Sequence, residues 1–296
     1  MTSMRTIVSF IRVKQWYKNV IIFLPLVFSF KFFLLPEFLL TVLGFIALSM
    51  ISSAMYARND IKDLETDKSH PLKKQRALPA GRINVKQAET IFGILLVIGF
   101  GISILLNVYF TLLLAIFFAN TEIYSRWTKN IIFLDAFAIG INFIIRAMAG
   151  IVLLHTPLSP WIILGVFFVA LFLAFTKRKG ELITLEEKAH EHRVTLKDYS
   201  SFSLNSALII SAVMIIVTYS LYAMHGPNGD WRLILTVPFI IFVIFRHLYL
   251  SGINDTLAQT NEVFKDKHSL VAIIAYAIFT IILLYMGHSE IFGGNF

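Results

Sequence analysis

The chain of 296 residues is 57% hydrophobic and only 15% charged, with a mean hydropathy of +0.75, a balance that excludes both a soluble globular domain and a disordered chain. Its net charge of +8 does not identify a nucleic-acid binder, because basic loops also set the topology of a membrane protein and attract anionic lipid. The sequence contains no cysteine, which excludes disulfides and thiolate metal sites.

Nine apolar runs of membrane-spanning length are predicted as helices, at 19–35, 38–57, 88–106, 108–125, 131–154, 160–177, 204–224, 231–250 and 268–287. Pro25 and Lys31 interrupt the first of them. No small-residue cleavage site precedes these runs, so the chain is expected to insert intact as one integral membrane domain, residues 1–296. The predicted fold class is all-α, a polytopic membrane protein built as a nine-transmembrane-helix bundle with a cytoplasm-facing active-site cavity. All of the 26 Lys and Arg except Lys31, Arg146, Arg232 and Arg246 fall on the amino-terminal side, after even-numbered spans or, for Lys177, at the last residue of one. The positive-inside rule therefore predicts that the amino terminus and the charged loops lie inside and the carboxyl terminus outside.

The segment that carries chemistry follows the second span. In NDIKDLETD, Asn59 to Asp67, the aspartates stand at i, i+3 and i+7, which gathers Asp60, Asp63 and Asp67 within roughly 60° of helical arc and about 10 Å of axis. Glu65 points elsewhere, so the trio is an ordered carboxylate face. Lys73, Lys74, Arg76 and Arg82 follow, while Pro71, Pro79 and Gly81 limit helix continuation. Carboxylates for a magnesium ion and cations for the remaining phosphate charge are what a magnesium-neutralised polyphosphate requires. An acidic trio alone would read as a solvated loop.

Arg146 lies inside an apolar span and is expected to face the bundle interior; Asp135 is eleven residues away, about 16 Å of rise, which argues against direct pairing on one helix. In KRKGEL, 177–182, Lys177 and Arg178 share a helical face with Glu181, and an intrahelical salt bridge is the plain alternative to a binding role. The eight histidines show no compelling metal spacing; His70 belongs to the basic loop, and HEH at 190–192 reads as solvated loop.

The aspartate segment resembles the NDxxDxxxD signature of the UbiA-type intramembrane prenyltransferase superfamily. Its continuation, NDIKDLETDKSHPLKKQRALPAG, is similar to the branch of decaprenyl-phosphate phosphoribosyltransferases, as are RVKQWYKN at 12–19, YSRWTKNIIFLD at 124–135, IRAMAG at 145–150 and KRKGEL. That resemblance implies a magnesium-dependent enzyme that moves 5-phosphoribosyl from phosphoribosyl pyrophosphate to a polyprenyl phosphate. It implies Asp60, Asp63 and Asp67 as metal ligands supported by Asn59. Lys73 and Arg76 belong with the same phosphate-binding loop.

Lys18 and Asn19 then approach the lipid phosphate, with membrane anchoring as the alternative reading. Lys129, with Tyr124 near it in sequence, is a further phosphate ligand, or else an ordinary positive-inside residue. Asp135 and Arg146 complete the polar set. KRKGEL stands where ordinary prenyltransferases of the superfamily carry a second aspartate motif, which suggests that Lys177 or Arg178 recognises a 5-phosphate absent from a prenyl diphosphate. Prenyl transfer to an aromatic or other hydrophobic acceptor is the alternative chemistry, and a membrane transporter the alternative class.

Overall fold

The computed structural model describes residues 3–69, 73–185, 198–253 and 266–286. His70, Pro71 and the HEH stretch lie outside these residues. The described chain is helical: α1 (Met4–Phe10), α2 (Leu24–Phe28), α3 (Leu35–Lys62), α4 (Leu64–Ser69), α5 (Val85–Leu106), α6 (Val108–Arg126), α7 (Leu134–Leu154), α8 (Pro160–Leu185), α9 (Ser201–His225), α10 (Val237–Ile253) and α11 (Lys267–Met286), joined in part by short 3-10 segments. Among the described residues, eight helices are long and apolar enough to cross a membrane. Exposed Val97 and Leu105 on α5 show apolar faces of the kind that meet lipid.

The run expected as a first span, 19–35, is instead a 3-10 segment, Val13–Phe23, followed by the five residues of α2 and a turn. Pro25 removes a backbone donor at the junction. Lys31 ends the stretch by donating from Nζ to the Leu154 carbonyl at the last residue of α7, 2.7 Å away, where a cation also complements the helix dipole.

Local signals account for several helix starts. Pro36 sits in the first turn of α3. Asn84 and Gln87 form a capping box at α5: Asn84 Oδ1 accepts from the Gln87 N–H and Gln87 Oε1 from the Asn84 N–H. Ser200 and Ser203 cap α9 in the same reciprocal way.

The packing divides into two compact units. The first comprises Met1–Leu26, Lys31–Ser125 and Ile145–Thr156; the second comprises Val27–Phe30, Arg126–Ile144 and Pro157–Phe296. Within the first, α3 packs against α5 and against the 3-10 segment. Three residues per turn place Trp16, Asn19 and Ile22 on one face of that segment. Ile22 is fully buried in a core with Ala47, Leu48, Phe110 and Leu153. A smaller core of Phe10, Ala57, Ala77, Leu78, Ile83 and Ala88 lies under the loop that follows α4 and anchors it by its RALPAG stretch. Gly81, at φ +70°, makes the turn that closes this stretch. Within the second unit, α8 packs against α9 around Leu171, Phe172, Phe175, Leu204 and Leu208, and α10 packs against α11.

Gly150 on α7 explains how close the 3-10 segment comes. A Cβ built there would lie 2.1 Å from the Ile22 carbonyl oxygen, a backbone atom that cannot swing aside. Gly150→Ala is therefore expected to destabilise the first unit by about 1–3 kcal/mol, the usual cost of overpacking. Thermal unfolding of the detergent-solubilised protein checks this; an unchanged midpoint would contradict the close approach.

Candidate active site

The carboxylate face is built where α3 ends. Asp63 terminates α3 at φ −92°, ψ 10°, yet the turn-to-turn hydrogen bonding continues, with the Asp63 N–H on the Asn59 carbonyl at 2.9 Å and the Asp67 N–H on the Asp63 carbonyl at 2.8 Å. The expected single helix is thus two helices joined at Asp63. Asp60 and Asp67 are buried, at 3% and 1% exposure, and Asp63 is half-buried.

Both buried carboxylates are met by cations. Arg76 Nη1 donates to Asp60 Oδ1 at 3.1 Å and to Asp67 Oδ2 at 2.8 Å. Lys73 Nζ lies 3.2 Å from Asp67 Oδ1, and Arg12 Nη2 pairs with Asp60 Oδ1. Arg12 is the residue that the sequence reading missed. It holds a left-handed backbone at φ 54° and stacks its guanidinium over the Tyr56 ring, 4.9 Å from the centroid. Asn59 faces a different neighbour, its Oδ1 accepting from Ser125 Oγ at 2.9 Å.

A line of polar residues on α3, Ser49, Ser53, Tyr56 and Asp60, leads to this point with alternating spacings of four and three, and the amino-terminal segment docks along it. Asn19 Nδ2 donates to Ser49 Oγ at 3.0 Å, Trp16 Nε1 donates to Ser53 Oγ at 3.0 Å, and Arg12 reaches Tyr56 and Asp60. Arg146 faces the protein interior as expected. Its Nε donates to Asn19 Oδ1 at 2.8 Å and its guanidinium lies 4.6 Å from the Phe117 ring centroid. Burial, reinforced by the charges of Arg146 and Arg12, brings the Lys18 ammonium down to about 8, and Tyr124 acts weakly the other way. Arg12, Lys18, Asn19, Tyr124 and Arg146 thus form one electropositive neighbourhood beside the carboxylates, all in the first unit.

The second unit holds the KRKGEL group. Arg178, 1% exposed, donates from Nε to Asp135 Oδ2 at 2.8 Å and from Nη1 to Glu181 Oε2 at 2.9 Å. Asp135 also accepts from the Tyr199 hydroxyl at 2.8 Å, and that hydroxyl accepts from the Phe133 N–H at 2.9 Å. Phe133 is left-handed at φ 62°, so Tyr199 braces the corner that starts α7. Burial, then the Asp135 charge, pushes the Tyr199 phenol up, and it stays protonated. Lys177 is more open, its side chain 55% exposed and its Nζ 3.7 Å from Glu181 Oε1. Lys129 lies in the Thr128–Asn130 turn, half-buried.

Hard oxygen donors on two buried aspartates that share one guanidinium nitrogen suit magnesium, which takes one or two carboxylates and completes its shell with water and phosphate. Among the described residues, no three His, Asp or Glu side chains converge into a ready-made cage. An open, phosphate-completed site therefore fits better than a closed protein cage.

The UbiA prenyltransferase family model matches residues 21–265. The chain belongs to the UbiA prenyltransferase family. This UbiA-family transferase is 29% identical over 277 residues to the decaprenyl-phosphate phosphoribosyltransferase of Mycobacterium tuberculosis, covering 92% of this chain and 91% of that protein. It is 28% identical over 287 residues to the enzyme of the same name from Corynebacterium glutamicum, covering 93% and 86%. A solved UbiA homologue from Archaeoglobus fulgidus bound to GPP and Mg2+ superposes with a TM-score of 0.69 at 15% identity, over 94% of this chain and 99% of that one, and shares the fold.

Lys18 carries a positive charge below pH 8 and loses it above; an anion seated beside it favours the ammonium, so anion affinity falls as the pH rises through about 8. For this UbiA-family transferase, the apparent substrate affinity is expected to weaken with a midpoint near pH 8, and to stay flat to pH 9 in Lys18→Arg. Superimposable pH profiles for the two proteins would remove Lys18 from the anion site.

Proposed function

We propose that this chain transfers 5-phosphoribosyl from phosphoribosyl pyrophosphate to a polyprenyl phosphate, releasing pyrophosphate, on the cytoplasmic side of a bacterial-type plasma membrane. The observation that carries the proposal is the pairing of an NDxxDxxxD face with KRKGEL in a chain related, over nearly its whole length, to enzymes named decaprenyl-phosphate phosphoribosyltransferase. KRKGEL supplies cations where a prenyl diphosphate donor would call for more carboxylate, which favours a donor with an additional phosphate.

Asp60 and Asp67, with Asp63 one turn away and Asn59 in support, would hold magnesium. When bound, the ion supplies Lewis-acid neutralisation of the pyrophosphate leaving group. Arg12, Lys73 and Arg76 bind the phosphate charge that remains. The bond between ribose C1 and the pyrophosphate oxygen breaks with its electron pair on the leaving oxygen. A lipid phosphate oxygen forms the new bond to C1 from the opposite face, with inversion. A phosphate monoester is already ionised at neutral pH, its second pKa being about 6, so the protein need not supply a strong base. Lys18, Asn19 and Arg146, with Tyr124 and Lys129, orient the phosphates; positioning and fixed charge lower the barrier. In the KRKGEL group the exposed Lys177 meets the 5-phosphate, while Arg178, with Asp135 and Glu181, holds the helix end that presents it.

Purified protein is expected to release pyrophosphate from phosphoribosyl pyrophosphate only when polyprenyl phosphate is supplied, and to yield a phosphoribosylated lipid. Product formed from a prenyl diphosphate instead would overturn the proposal. Asp60→Asn and Asp63→Asn should each lower turnover by about two orders of magnitude or more without loss of membrane insertion, the scale of losing one charge-stabilising group. Lys177→Ala should raise the KM for the donor with little change in kcat; an unchanged KM would detach Lys177 from the 5-phosphate.

A further inference from the structure

The cations around Asp60 and Asp67 do more than neutralise them. The two carboxylate side chains are 4% and 1% exposed, whereas Arg12, Arg76 and Lys73 are 24%, 36% and 39% exposed. The cations therefore form the solvent-facing cover of the carboxylates, and an ion arriving from water meets a positive charge first. Asp60 Oδ1 accepts from both arginines, and each oxygen of Asp67 has its own cation. Two carboxylates beside three cations leave these five side chains net positive; Asp63 brings the set to neutral, and the adjoining Lys18 and Arg146 return the surroundings to net positive, which disfavours a free dication at short range.

We propose that Arg76 and Arg12 are counter-ions that keep free divalent metal off Asp60 and Asp67, so that the species that docks is the metal complex of the donor's pyrophosphate. The inference rests on the function proposed above. A diphosphate ester carries roughly three negative charges at neutral pH, and its complex with a dication remains anionic. Such a complex is attracted where the bare ion is repelled. On docking the partners exchange: the carboxylates pass from guanidinium to metal, and the guanidiniums pass from carboxylate to phosphate oxygens, which their planar forks match in two-point geometry. The same two arginines serve as gate and as phosphate ligands, and the reaction acquires an order of binding.

The test is a binding measurement on the full-length protein in nanodiscs, with Mn2+ as the probe, inorganic pyrophosphate as the anion, and equilibrium dialysis read by electron paramagnetic resonance. Wild type is expected to bind Mn2+ at least about tenfold more tightly with pyrophosphate than without, the coupling being reciprocal. Arg76→Gln and Arg12→Gln should bind Mn2+ alone about tenfold more tightly than wild type and lose most of the pyrophosphate-dependent gain. Arg76→Lys, which keeps the charge, should preserve the wild-type order.

Equal Mn2+ affinity with and without pyrophosphate in wild type would overturn the inference without any variant. Glutamine variants that bind Mn2+ alone no better than wild type would also overturn it. A protein that binds no Mn2+ under either condition would sink the metal assignment together with the counter-ion role. A protein with the expected order of binding but no phosphoribosyl transfer would leave the counter-ions standing and remove only the donor.

Discussion

Burying a carboxylate at the end of an apolar helix is the constraint on which the first unit depends. Asp60 sits in the last turn of α3, a helix otherwise rich in small and apolar residues, and a lone carboxylate there would cost several kcal/mol. The chain meets that cost from two directions in sequence. Arg12 comes from 48 residues upstream and Arg76 from 16 residues downstream, both onto the same carboxylate oxygen. The polar stripe on α3 aligns the amino-terminal segment for the first of these contacts. The small core under RALPAG fixes the second by burying Ala77 and Leu78 next to Arg76. Packing and charge are therefore one arrangement: the helix end, the loop and the amino-terminal segment each settle where the charges balance.

The second unit solves the same problem in a tighter form. Asp135 is fully buried and is satisfied by Arg178 and Tyr199, and Tyr199 in turn holds the left-handed Phe133 corner. A charged pair of this kind adds little net stability against an apolar alternative. What it fixes is direction. Arg178 takes the inner side of the helix and hands Glu181 and Lys177 to the outer side, so adjacent basic residues in KRKGEL have unlike surroundings.

Much of this was legible in the sequence, for definite reasons. Long apolar runs show themselves by length alone, and eight of the expected spans correspond to long helices among the described residues. The periodic aspartates and the interior-facing Arg146 follow from helical geometry and from the cost of a guanidinium in lipid. The first expected span, 19–35, failed because hydropathy does not register hydrogen-bond geometry: its first residues belong to a 3-10 segment, and α2 ends after five residues. Arg12 was overlooked because its partner is remote in sequence. Its signal lay in the small and polar residues of SMISSAMYARND, whose spacing marks a groove for another segment. Likewise Tyr199 gave no motif, because its role is set by a three-dimensional corner and not by neighbours in the chain.

The lowered ammonium of Lys18 has a consequence for chemical handling of the protein. With a pKa of about 8, roughly one molecule in ten carries a neutral, nucleophilic amine at that position at pH 7, against fewer than about one in a thousand for an ordinary lysine. The neutral amine is the form that an amine-selective acylating reagent attacks, so at neutral pH the lowered pKa favours reaction at Lys18, while the burial that lowers it slows the reagent's approach. Any anion that restores the charge will shield it. A single residue thus offers a covalent reporter of site occupancy that needs neither turnover nor a labelled lipid.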